Sequence, residues 1–104
     1  MLKKTPTDAL IFEFGCYYIA DEFPWQDPLQ TWARQSAQRL EYWVEEREIP
    51  ELISLLSEMA GNRRHPMVIA LERETLIDWG EDDGAWQVFA ELVTLIAEAL
   101  TDRR

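Results

Sequence analysis

The chain has 104 residues, 47% of them apolar, and sets 20 acidic side chains against 10 basic ones for a formal net charge of −10. This length is read as one domain, residues 1–104, and the apolar share is that of a globular chain, which excludes a disordered one. The acid excess excludes a nucleic-acid-binding surface, which needs clustered Lys and Arg, and opposes contact with anionic membrane.

Thr5-Pro6-Thr7-Asp8 opens the first element as a capping box, with Thr5 at the N-cap, Pro6 at the first helical position and Asp8 reaching back. Residues 9–20 follow, an apolar run whose aromatic and branched side chains also suit a strand. Lys3 and Lys4 before this run give it the look of a signal peptide. Asp8 and Glu13 break that pattern, no small-residue cleavage site precedes Asp21 and Glu22, and the run is too short and too charged to span a bilayer. Cys16 is the one cysteine, so no internal disulfide is possible. Its apolar setting predicts a small buried side chain in a reducing, cytoplasmic compartment.

After a Phe23–Gln26 connector holding Pro24 and Trp25, Asp27-Pro28-Leu29-Gln30 repeats the cap-then-proline start. Residues 28–47 then read as one amphipathic helix. Leu29, Trp32, Ala33, Ser36, Ala37, Leu40, Trp43 and Val44 share its apolar face; Arg34, Gln35, Gln38, Glu41, Glu45 and Glu46 share the other. Trp32 and Trp43 lie three turns apart on the apolar side and are expected in the core. Residues 50–60 form the next helix, ending at Gly61-Asn62 as a left-handed cap. Ile49-Pro50 and His65-Pro66 mark two further starts that lack a good cap residue.

Residues 67–77 suit helix or strand. From about 85 to 102 the polar positions are Gln87, Glu91, Thr94, Glu98 and Thr101, one narrow stripe on an otherwise apolar helix. Such a helix is buried on most sides, at the centre of a bundle or in an oligomer seam. Asp82 or Asp83 can cap its start, and Arg103 and Arg104 suit the negative end of its dipole. The pattern predicts an all-α, single-domain bundle of about five helices with a buried C-terminal helix. The alternative is an α/β fold with strands at 9–20 and 67–77.

No zinc, zincin, nucleophile-elbow or phosphate-loop motif is present, so neither an enzyme nor a bound cofactor is expected. His65 has no histidine or cysteine partner for zinc, and with Asn62, Arg63 and Arg64 it forms the main positive patch. Asp78–Gly84 looks like a calcium loop, but Gly80, Asp83 and Phe89 stand where the helix–loop–helix pattern requires Asp or Asn, Gly and Glu. Glu13, alone in its apolar run, is expected at a rim or tied to an arginine.

The charge itself carries the functional expectation. Residues 41–58 hold six acids against Arg47, and residues 72–83 hold six against Arg73, so each block nets −5. Turned to one side, the two blocks imitate the phosphate spacing of a duplex and dock a basic groove. Glu41, Glu45, Glu46 and Glu48, with Glu81, Asp82 and Asp83, are the candidate partner-binding residues, and Trp79 beside them is the apolar anchor. In size, acidity and aromatic content the chain is similar to inhibitors, antitoxins and immunity proteins as a class. The expected function is to bind, and inhibit or sequester, a basic protein that handles nucleic acid, such as a nuclease. The alternative is an adaptor or subunit, a homodimer included, joined through the apolar C-terminal helix.

Overall fold

The computed structural model describes residues 3–17, 28–75 and 84–103. Among them lie five α-helices and no strand: α1 (Pro6–Tyr17), α2 (Leu29–Trp43), α3 (Ile49–Ala60), α4 (Pro66–Thr75) and α5 (Gly84–Asp102), with a 3₁₀ turn at Glu46–Glu48. The chain is the all-α bundle that its periodicity predicts. Both ambiguous segments are helical. In α1 the buried positions are Pro6, Ala9, Leu10, Glu13 and Phe14, the i, i+3, i+4, i+7, i+8 spacing of one helix face. Thr5 starts it as expected, its hydroxyl accepting the Asp8 amide at 3.2 Å.

α5 is the central helix. It packs against both α2 and α3, while α1 packs on α4, α2 and α3. Phe89, Leu92, Ile96 and Leu100 are fully buried along α5. All five members of its polar stripe face solvent, and Thr94 and Thr101 return their hydroxyls to the carbonyls of Ala90 and Ala97, each at 2.8 Å. The Phe14 and Phe89 rings, 5.4 Å apart, join α1 to α5. Area of this kind dominates the stability of a small domain, at about 25 cal/mol per Å² of apolar surface removed from water.

Five local expectations are corrected. The helix expected over 28–47 stops at Trp43, where Val44 turns extended (φ −113°, ψ 143°). The reason lies 39 residues upstream: the Lys4 amide donates to the Trp43 carbonyl at 2.7 Å, and the Lys3 ammonium donates to the Tyr42 carbonyl. These donors satisfy carbonyls that a continuing helix would have used.

Gly61 is not left-handed; its φ is −94° and ψ −1°. The turn instead closes through Gly61 N–H to Glu58 and Asn62 N–H to Met59. A Cβ at Gly61 would meet only the Glu58 carbonyl, at 3.9 Å. Gly61→Ala is therefore expected to be neutral or to stabilise by up to about 1 kcal/mol, by restricting the unfolded chain. Thermal denaturation checks this, and a loss of stability would contradict the right-handed turn.

His65 does cap α4. Its Nδ1 accepts the Met67 amide at 3.0 Å, and its Nε2 lies 3.4 Å from Glu58 Oε2. Cys16 is exposed, because the buried face of α1 passes through residues 13 and 14 and leaves 15 and 16 outside. Trp32 and Trp43 are half-buried, packed against the core from its edge.

Candidate functional site

The sequence-predicted surface divides at the limit of the described residues. Trp79, Glu81, Asp82 and Asp83 lie outside them, as do Trp25, Asp27 and the 78–83 part of the acidic loop. Glu41, Glu45, Glu46 and Glu48 lie where α2 gives way to the 3₁₀ turn and α3.

These four carboxylates are not equivalent. Glu41 is half-buried and accepts from Arg103 Nε at 2.7 Å, which ties the end of α5 to α2. Glu45 pairs with its neighbour Arg47 at 2.9 Å. Exposed pairs of this kind add about 0–1 kcal/mol but locally cancel the negative potential. Glu46 is exposed and Glu48 half-buried, and neither has an ion-pair partner among the described residues. The early end of α2 explains the split. Glu45 and Glu46 leave the helix face that Glu41 occupies, so the predicted row of acids bends at the corner.

That corner also holds a group the sequence reading missed. The chain has two lysines, Lys3 and Lys4, and both lie over aromatic rings. The Lys4 ammonium sits 4.7 Å from the Phe12 ring centre and 5.2 Å from that of Trp43, and the Lys3 ammonium lies 5.2 Å from that of Tyr42. The rings support one another: Trp43 meets Phe12 edge-on at 5.0 Å and Tyr42 at 5.4 Å. Tyr42 is 57% exposed, the largest exposure among the described large apolar side chains. Each ammonium–ring contact contributes about 0.5–1 kcal/mol at such a site. Beside the rings, Lys3, Glu41, Val44, Glu46, Ile49 and Arg103 line a cleft of about 500 Å³. No local motif announces this group; the adjacent Lys3-Lys4 and Tyr42-Trp43 pairs meet only through the fold.

The remaining candidates have structural roles. Glu13, expected at a rim or tied to an arginine, is wholly buried and held by Arg39, whose Nε donates to both carboxylate oxygens. Burial pushes the Glu13 carboxyl up to about 7, although Arg39 and the Ser36 hydroxyl act in the opposite direction. His65 is engaged as a helix cap. Among the described residues no group of three or more His, Cys, Asp or Glu could hold a metal ion, and no helix is long and apolar enough to cross a membrane.

The apolar face of α5 is already covered by α2 and α3. Its half-buried Leu95 and Ala99 border a smaller cleft of about 240 Å³, shared with Gln30, Arg34, Glu98 and Asp102. No known protein family, curated protein or solved structure matches this chain.

Proposed function

We propose that this chain is a small, non-catalytic interaction protein that binds a basic protein partner through its anionic surface, in the manner of an inhibitor or immunity protein of the cytoplasm. One observation carries the reading: five of the described cations are engaged within the molecule, while Arg34, Arg64 and Arg73 stay exposed among a larger number of acids. Arg39 is committed to Glu13, Arg47 to Glu45 and Arg103 to Glu41, while Lys3 and Lys4 lie on aromatic rings. Glu46, Glu51, Glu74, Glu91, Glu98 and Asp102 remain exposed with no counter-ion among the described residues. A surface of this kind steers cations toward it. A nucleic-acid-handling partner is the natural class, because its groove presents clustered Lys and Arg that answer to spaced anions. Glu81, Asp82, Asp83 and Trp79 are further partner contacts in this reading.

Capture from an extract of the source cell at low and high salt tests it. Basic proteins should be retained at low salt and released at high salt, since exposed charges more than about 8 Å apart are screened at physiological ionic strength. Reversing Glu81, Asp82 and Asp83 to lysine should slow association more than it speeds dissociation. Tight capture that ignores both salt and charge reversal would contradict the proposal.

A further inference from the structure

The unexplained feature of the α2–α3 corner is its use of lysine. In a chain with 20 acids, neither lysine forms an ion pair among the described residues, and both lie on Phe12, Tyr42 and Trp43. Significant ammonium–ring contacts occur roughly once per 70–80 residues, and here three meet at one corner. The ring faces present the negative side of their quadrupoles, the geometry by which aromatic cages hold ammonium groups.

The backbone here is fixed at both ends, and what the rings hold is the two lysine side chains. Residues 3–5 belong to no helix; the Lys4 amide bonds the Trp43 carbonyl, Thr5 accepts the Asp8 and Ala9 amides of α1, and the Lys3 ammonium is held by the Tyr42 carbonyl beside its ring. Glu41 and Glu46 stand in the adjoining cleft. Glu41 is paired with Arg103 there, so a second cation arriving finds exposed Tyr42 and the Glu46 carboxylate.

We propose that Phe12, Tyr42 and Trp43 form a lysine-accepting site, and that the Lys3 and Lys4 side chains are a built-in competitor which a lysine-bearing segment of the basic partner displaces. This rests on the acidic-surface reading and assigns it a point of contact. The chain's own Lys3 and Lys4 show the chemistry the rings accept: an ammonium on a flexible apolar stem, carried by a short non-helical segment. A tethered competitor lowers apparent affinity by the fraction of time it occupies the site, so its removal should tighten binding.

The test titrates the peptide acetyl-Gly-Lys-Lys-Gly-amide into four chains, following the Trp43 indole N–H by NMR. The chains are the unaltered protein, K3A/K4A, R63A/R64A, and K3A/K4A carrying Y42S. The two double variants each remove two positive charges from a net −10, so bulk electrostatics acts equally on both. Binding should tighten at least about fivefold in K3A/K4A, change little in R63A/R64A, and weaken again when Tyr42→Ser is added. Tyr42 is exposed, so that last variant keeps the fold; Phe12→Leu in the same background is a second check that retains apolar volume.

Equal tightening in K3A/K4A and R63A/R64A would overturn the ring site and leave the acidic surface standing. Salt-sensitive binding that ignores Tyr42→Ser and Phe12→Leu would do the same. Absence of peptide binding to every chain would remove the ring site, while the capture experiment with the natural partner would still decide the wider proposal.

Discussion

Leu92→Asp is expected to unfold the protein, whereas Leu95→Asp, three residues on, is expected to leave it folded. Leu92 is wholly buried where α5 meets its neighbours. Removing its side chain alone costs about 2–5 kcal/mol. A carboxylate with no partner in that setting adds several kcal/mol more, against a total stability of about 5–15 kcal/mol for a domain of this size. Leu95 is half-buried at the cleft beside α2, so its carboxylate reaches water and costs far less.

Circular dichroism and size exclusion with light scattering read both outcomes. The same pair decides whether α5 also serves as an oligomer seam. A multimer that Leu95→Asp dissociates into folded monomers would favour the adaptor reading. A folded monomer before and after the substitution would leave α5 as core alone. Cooperative folding of Leu92→Asp would contradict the central place of α5.

Arg39→Ala is expected to cost about 3–5 kcal/mol at neutral to alkaline pH, the usual result of stripping the partner from a buried charge. It should cost less in acid. Glu13 titrates at about 7 in the folded chain and near 4.5 when unfolded. Between these values the folded state holds the extra proton. The Glu13 contribution to stability is therefore fully present below about 4.5 and is lost as pH rises through about 7. At about pH 5 the folded carboxyl is mostly protonated, so removing Arg39 takes away a hydrogen bond rather than a counter-charge and costs about 1–2 kcal/mol. At about pH 8 the carboxylate is ionised and depends on the guanidinium. Urea denaturation of both proteins at the two pH values measures the difference, and an equal loss at both would refute this account of Glu13. Pairing Arg39→Ala with Glu13→Gln should recover much of the loss, since the buried charge is then gone.

What could be read from the sequence follows the range of the forces involved. The stripe Gln87-Glu91-Thr94-Glu98-Thr101 marks the solvent side of α5 correctly because burial and helical period act together over about four turns. The same period, hidden under strand-like composition, runs through Ala9, Leu10, Glu13 and Phe14; there the Thr5 cap was the better guide. The end of α2 was not legible, because the donors that terminate it come from Lys3 and Lys4, far away in the chain. His65 was passed over because imidazole is an uncommon cap, though its Nδ1 can accept a hydrogen bond like any other acceptor. Of the candidate partner residues, sequence located the acids but not their partners. Arg103 reaches Glu41 only after α5 has packed on α2, and ring contacts between residue 4 and residues 12 and 43 leave no local pattern.

The order of packing also bears on how the chain is made. α5 covers the inner sides of α2 and α3, yet it is the last of the five helices to be synthesised. Until it emerges from the ribosome, Leu40, Leu52 and Leu56 have no central helix to rest against, and the nascent protein shows that apolar side to its surroundings. Chains interrupted before α5 should accordingly be bound by chaperones or degraded rather than accumulate.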